Sequence, residues 1–169
     1  MSESLNQLKD SLKVLASETF SSVSAPIQYA AIAAYNNDHS EYINNSKNIL
    51  KAVGEYVYNN LKSNNVIINK PQGGFYLMPE FVNKNFSSSG EMCSDILKKT
   101  GIALLPGSDF GFSKNKMIVR LSFTDFDGHT FMKSVSDTKN IDDNLISKFA
   151  PNIVDGVNTV SYTHLTLPT

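Results

Sequence analysis

The sequence predicts a mixed α/β (α+β) protein in which long helices precede a small β-β-α-β-β-α region. Apolar residues recur at helical spacing through the N-terminal third of the chain. Short apolar runs separated by Gly, Pro and Asn follow, which is typical of short strands and tight turns. With 169 residues, 41% of them hydrophobic, the chain suits one domain, or one domain with an appendage.

Three helices are predicted in the N-terminal third, over 4–14, 25–35 and 40–61. The hydroxyl-rich segment 17–24 between the first two is predicted to be a loop. Ser24 is a candidate N-cap for the second helix, and Pro26 lies in its first turn. This second helix is rich in alanine, so we expect it to be tightly packed.

Four strands are predicted next, over 66–68, 75–78, 102–105 and 117–123. Pro79 ends the second strand, and loops are predicted over 81–86 and 106–116.

A helix over 91–99 is predicted between the second and third strands, because Ser88 and Glu91 form a capping box and Gly101 follows as a C-cap. Asp127 can cap a last helix, whose pattern fades over 138–143.

Composition excludes several classes of protein. The chain has 15 basic and 16 acidic residues, so its charge favours neither nucleic acid nor a membrane surface as a partner. No apolar run has bilayer length, and the polar N-terminus is unlike a signal peptide, so we expect a cytoplasmic protein. The histidines His39, His129 and His164 form no cluster with metal-ligand spacing, and the one cysteine, Cys93, is interpreted as a packing residue.

The last nine residues, 161–169, show no periodicity and end abruptly. They resemble the translated sequencing-adaptor text that sometimes ends an assembled gene. We therefore expect them to be a non-native tail without a function.

Arginine is used once, at Arg120, whereas lysine occurs 14 times. Side chains alternate along a strand, so Ile118, Arg120 and Ser122 are predicted to share one face, opposite a core-facing set of Val119, Leu121 and Phe123. A planar guanidinium can hold a carboxylate through two parallel hydrogen bonds. From the sequence alone, an ion pair with an internal carboxylate, or a simple surface position, is the favoured explanation of Arg120.

Three further features are weaker candidates. The Gly73–Gly74 pair before two aromatic residues fits a pocket wall or a hairpin turn, and the segment 105–111 fits a binding loop or a plain turn. Lys114 follows a serine, as in some nucleophile motifs. Its polar surroundings favour a solvated turn, because a catalytic lysine needs desolvation.

Four segments, in this order, resemble class I/II aminotransferases, the fold-type I enzymes related to aspartate aminotransferase. They are 17–35 (SETFSSVSAPIQYAAIAAY), 71–79 (PQGGFYLMP), 101–112 (GIALLPGSDFGF) and 119–128 (VRLSFTDFDG). The resemblance extends over about 5–160 and matches only the C-terminal part of that family. It implies that 1–35 ends the large cofactor-binding domain, that 36–63 is the interdomain helix, that 64–160 is the small C-terminal domain, and that 161–169 lies outside it.

The resemblance also implies functional residues and partners. Arg120 stands where the family binds the substrate α-carboxylate, and Phe75 and Gly74 stand near the substrate pocket. The implied cofactor is pyridoxal phosphate, the implied substrates are an amino acid and a 2-oxo acid, and the implied assembly is a homodimer of the full-length enzyme.

The family's Schiff-base lysine is not found in this sequence. It should lie upstream of residue 17, where only Lys9 and Lys13 occur in a helical pattern, and the tryptophan expected after it is absent because the chain has none. We therefore expect the isolated chain to be inactive. A non-catalytic small-molecule-binding or dimerisation module, and one half of a split enzyme, are the alternative interpretations.

Overall fold

The computed structural model describes residues 3–20, 22–82, 85–135 and 140–165, with side chains described as far as residue 161. Two units are distinguished, Met1–Glu41 and Tyr42–Thr169. The helices and strands confirm the mixed helix-and-sheet architecture that the sequence predicts.

Helices α1 (Glu3–Thr19) and α2 (Ala25–Asn36) make up most of the first unit. Helix α1 runs further than predicted, so the loop prediction is wrong for 17–19. The helical backbone ladder continues through this segment, where the Phe20 N–H donates to the Ala16 carbonyl at 2.8 Å, and the Thr19 hydroxyl donates to the Leu15 carbonyl at 2.6 Å.

Helix α2 begins where predicted but differs in two respects. Ser24 occupies the N-cap position, yet its side chain makes no capping hydrogen bond. The tight packing expected of this helix is also wrong, because none of its residues is buried. Small alanine side chains favour close packing only where a neighbouring element covers them, and within this unit nothing covers them.

Helix α3 (Ser40–Leu61) has the predicted bounds and contributes the first core residues of the second unit. Its buried apolar side chains are spaced four apart at Ile49, Val53, Val57 and Leu61, which is one face of a helix. On this face Gly54 lets the helix approach Phe123, whose ring would lie 3.0 Å from an added Cβ atom.

The described residues form five short strands in two antiparallel sheets, one strand more than predicted. They are β1 (Val66–Ile67), β2 (Tyr76–Leu77), β3 (Glu80–Phe81), β4 (Leu105–Pro106) and β5 (Val119–Ser122). Strand β1 pairs with β3, and the other sheet has the order β2-β5-β4.

Strand β3 corrects the loop predicted from Phe81 onward. Pro79 ends β2 as expected, but the chain then pairs again at once, with Phe81 opposite Val66. In the other sheet, β4 lies at the edge, and an edge strand tolerates Pro106, which has no N–H to donate. A 3₁₀ turn, Gly107–Phe110, follows β4 within the predicted loop.

The predicted N-caps of two helices and the C-cap of one are confirmed, although the Glu91 carboxylate accepts from Ser87 instead of completing the predicted capping box with Ser88. At the start of α4 (Ser89–Thr100) the Ser88 hydroxyl accepts a 3.1 Å hydrogen bond from the Glu91 N–H, and at its end Gly101 is left-handed with φ of 76°. Asp127 caps α5 (Gly128–Val135) by accepting from the N–H groups of His129 and Thr130.

Two C-terminal helices, α6 (Asp143–Phe149) and α7 (Pro151–Leu165), were not predicted. Helix α7 continues to Leu165, so the absence of regular structure expected over 161–169 is wrong for 161–165. Residues 166–169, and residues 138 and 139 of the 138–143 segment where the last helix pattern fades, lie outside the described residues. Whether the tail is native stays a prediction.

The hydrophobic core lies in the second unit. All its buried members fall between Ile49 and Val160 and come from α3, the strands and the later helices. Phe123 and Phe131 are the largest of the side chains that are almost completely buried. Within the described ranges, no helix is long and apolar enough to span a membrane.

Candidate functional site

Arg120 lies on the central strand of the three-stranded sheet. The neighbouring Val119 and Leu121 are buried at 0% and 8% exposure, whereas Arg120 is half-buried and Ser122 is exposed on the opposite face. The predicted alternation along this strand is confirmed for these residues, but not for Ile118, which was predicted on the Arg120 face and is buried at 6% exposure. Because β5 is flanked by β2 and β4, the arginine side chain rises from the middle of the sheet.

Two aromatic rings contact the guanidinium of Arg120. Its Cζ atom lies 4.5 Å from the centroid of the Tyr76 ring and 4.3 Å from that of the Phe110 ring. Tyr76 belongs to β2 on one side of β5, and Phe110 ends the 3₁₀ turn that follows β4 on the other side. Both distances are within the range of cation–π attraction.

The Arg120 guanidinium has no carboxylate partner within the described residues. The ion pairs found there join Lys13 to Asp10, Lys70 to Glu55, and Lys99 to Asp95. The internal ion pair that was one explanation for Arg120 is therefore not observed in this part of the chain. Its planar N–H donors remain available to an anion.

The other two predicted pocket residues lie close by in the chain but differ in their surroundings. The Phe75 ring packs on Tyr76, with 4.3 Å between centroids, and so adjoins the ring that contacts Arg120. Gly74 is left-handed, with φ of 73°, and lines a separate cavity of about 460 Å³ together with Phe123 and helix α3. The structure thus brings Phe75 toward Arg120 and places Gly74 at the turn behind it.

Sequence reasoning missed Tyr76 and Phe110 as neighbours of Arg120. They come from separate elements, and only the strand order β2-β5-β4 brings both to one arginine. The signal available in the sequence was an aromatic residue in each of the two segments already singled out, 73–76 and 105–111.

The described lysines do not fit the chemistry of pyridoxal phosphate. A lysine that forms a Schiff base at neutral pH needs desolvation or a neighbouring cation to lower its pKa. Every lysine of the described residues is exposed, including Lys114, whose solvated-turn interpretation agrees with this exposure. None of the described lysines therefore has the desolvated setting that this chemistry needs.

Cys93 is a buried core residue, as predicted. Burial, and to a smaller extent the negative charge of Asp109, raises the pKa of its thiol to about 11, so the thiol stays protonated at neutral pH. His39 and His129 are exposed, the side chain of His164 lies outside the described set, and no cluster able to hold a metal ion occurs among the described residues.

The fold agrees with one family of enzymes. The family model "Aminotransferase class I and II" matches residues 3–128, and the chain therefore belongs to this family. It is 33% identical over 102 residues to an aspartate aminotransferase of Bacillus sp. (strain YM-2), covering 57% of this chain and 26% of that enzyme. It is also 33% identical over 124 residues to the aspartate aminotransferase of Geobacillus stearothermophilus, covering 68% of this chain and 30% of that enzyme.

Solved structures agree with the family assignment. Aspartate aminotransferase from Rhizobium meliloti superimposes with a TM-score of 0.66 over 96% of this chain and 36% of that one, at 17% identity, which supports the fold alone. Alanine aminotransferase from Pyrococcus furiosus has a TM-score of 0.57 and 25% identity, covering 71% of this chain and 30% of that one. The chain thus spans about a quarter to a third of the length of these relatives.

Proposed function

We propose that this chain is the substrate-carboxylate-binding part of an amino-acid aminotransferase, which transfers an amino group between an amino acid and a 2-oxo acid. The observation that carries the proposal is the Arg120 guanidinium, half-buried and without a carboxylate partner in the described residues. A desolvated guanidinium attracts a planar carboxylate more strongly than an exposed one does. Both substrate classes carry that group.

The side chain of the substrate is left open by this proposal. The relatives are named for aspartate and alanine, whose side chains differ in charge. Arg120 would bind the carboxylate that these substrates share. It therefore supports the amino acid and 2-oxo acid classes without favouring one member. We further propose that Phe75 and Gly74 belong to the wall of the substrate pocket.

Pyridoxal phosphate is proposed as the cofactor of the full-length enzyme, held by residues outside the described part of this chain. When bound, it would supply the electron sink for amino transfer. We also propose the domain division that the resemblance implies. It places 1–35 in the large domain, 36–63 in the interdomain helix, 64–160 in the small domain and 161–169 in a non-native tail. Because no described lysine is buried, we expect the isolated chain to show no transaminase activity.

A homodimeric full-length enzyme is also proposed. The support is indirect: α1 and α2 expose apolar side chains such as Leu8, Leu12 and Ile32, which favour association with further protein surface. We also propose a cytoplasmic location, because the thiol of Cys93 is free and free thiols are typical of a reducing compartment.

Carboxylate binding is tested by titrating the chain with pyruvate and with pyruvamide, which lacks the carboxylate, while following the backbone amides of β5 by NMR. Pyruvate should shift these amides and pyruvamide should not. Arg120→Lys should weaken pyruvate binding about tenfold or more, because the two-pronged hydrogen bond to a charged group is lost. The matched control Lys114→Gln, which removes an exposed cation from the segment that precedes β5, should leave the affinity unchanged.

The cofactor part has its own test. The chain mixed with pyridoxal phosphate should show no visible absorption from a lysine-bound cofactor. A borohydride-fixed adduct mapped to Lys114, or to another lysine of this chain, would contradict that part while leaving the carboxylate site standing.

A further inference from the structure

We propose that Tyr76 and Phe110 are positioning residues, which hold the Arg120 guanidinium in the orientation that receives a carboxylate. This inference rests on the proposed function of Arg120. The two rings lie 4.5 and 4.3 Å from its Cζ atom and reach it from the two strands that flank β5.

The rings do not serve the hydrophobic core. Tyr76 is 43% exposed and Phe110 is 40% exposed, and neither belongs to the buried cluster. Their ring contacts are on the surface face of the sheet, where Tyr76 packs on Phe75 and on Arg120. Packing requirements alone therefore do not explain why aromatic residues stand at both positions.

Rings on the guanidinium restrict what can approach it. A guanidinium accepts aromatic contacts on its flat faces and donates hydrogen bonds only in its plane. Contact with Tyr76 and Phe110 leaves the in-plane N–H groups for a ligand, and Leu105, directly across the ladder from Arg120, bounds the same face of the sheet. A planar carboxylate matches the remaining edge.

Restraint also strengthens binding. A free arginine side chain loses rotamer freedom when it grips a ligand, and that loss weakens the affinity. In this chain the two ring contacts impose part of the restraint before a ligand arrives. Removing either ring should then weaken carboxylate binding without unfolding the protein.

The single arginine makes a direct test feasible, because its Nε–Hε group gives one NMR signal for the whole chain. In the unliganded protein this signal should show a ring-current shift and the slow motion of an ordered side chain. Tyr76→Leu and Phe110→Leu should each move it toward the position of a free arginine and raise the Kd for pyruvate about two- to tenfold. Tyr76→Phe, which keeps the ring, should retain the parental signal and affinity.

Phe112→Leu is the matched control, since Phe112 follows the same 3₁₀ turn at 42% exposure and makes no contact with the guanidinium among the ring contacts of the described residues. It should change neither the arginine signal nor the Kd.

The outcomes separate the two proposals. Pyruvate binding that is equally tight in both leucine variants would overturn the positioning role while leaving the carboxylate site intact. An unshifted, mobile arginine signal in the parent chain would overturn it as well. An ordered, ring-shifted arginine that ignores pyruvate would overturn the proposed function and the positioning role together.

Discussion

Gly107, at the start of the 3₁₀ turn that carries Phe110, is a point of close backbone approach. Its N–H donates a 2.7 Å hydrogen bond to the Ile118 carbonyl, and an added Cβ atom would lie 2.8 Å from that oxygen. Backbone atoms cannot move aside cheaply, so Gly107→Ala should lower the free energy of unfolding by about 1–3 kcal/mol. Urea denaturation measures the change.

Gly156→Ala is the control for Gly107→Ala. Nothing lies within 4 Å of an added Cβ atom there, and the residue is inside helix α7. Alanine should be neutral or stabilising by up to about 1 kcal/mol at that position. Equal destabilisation by both substitutions would contradict the role assigned to the Gly107 contact.

The Cys93 thiol should resist alkylation in the folded protein. Its pKa rises from an ordinary 9.0 to about 11, so at about pH 8 its thiolate fraction, and hence its rate with iodoacetamide, should fall by about two orders of magnitude relative to the unfolded chain. Because the folded thiol keeps its proton longer, stability from this group is full below the unfolded pKa and declines as pH rises from 9.0 toward 11.

The exposed position next along α4 gives the comparison for Cys93. In the double variant Cys93→Ala, Ser94→Cys the thiol stands at an exposed site and should react at nearly the unfolded rate. Fast reaction of Cys93 itself in the folded parent would show that the thiol is not buried as described.

At the level of the secondary-structure element, helix α4 depends on its first turn. Ser88 accepts from the Glu91 N–H, and the Glu91 carboxylate accepts in return from the N–H and hydroxyl of Ser87, which lowers the pKa of Glu91. Ser88→Ala should lower the free energy of unfolding by about 1 kcal/mol. Ser94→Ala, in the exposed middle of the same helix, should leave the free energy of unfolding unchanged or raise it slightly. Thermal melts of both variants measure the difference.

Elements defined by local chemistry were predictable from the sequence, and those defined by distant partners were not. The caps at Ser88 and Asp127 and the alternation around Arg120 are read from a few adjacent residues, and the structure confirms them. Strand β3 exists because Phe81 pairs with Val66, although strand β2, which pairs with β5, lies between them in the chain, and no local pattern shows this.

The missed C-terminal helices are a different case, because their signal was present. Asp142 caps α6 by accepting from the Leu145 N–H, and Ile153, Val157 and Val160 lie at helical spacing in α7. At the candidate site, Arg120 was a candidate because it is the one arginine of the sequence. The contacts of its guanidinium with Tyr76 and Phe110 depend on the order of the strands and could not be predicted from adjacent residues.

At the level of the whole molecule, the core is unevenly distributed along the chain. All buried core residues lie between Ile49 and Val160, and α1 and α2 bury none. A chain without residues 1–39 should therefore keep a cooperative thermal unfolding transition. A chain without residues 161–169 should keep it too, because Val160 is the last core residue among those whose side chains the structure describes.

Deletion of 151–169 is the informative contrast, because it removes a helix that contributes core residues. Ile153, Val157 and Val160 are 7%, 4% and 1% exposed, and burying each such side chain contributes about 1.5–3 kcal/mol. Loss of these three buried side chains would remove a large part of the free energy of unfolding, which is roughly 5–15 kcal/mol for a typical domain. Differential scanning calorimetry should thus show a sharp transition for the two outer deletions and none for this one. If the chain lacking 1–39 melted without cooperativity while the chain lacking 151–169 melted sharply, the core would have to be placed in the first unit instead.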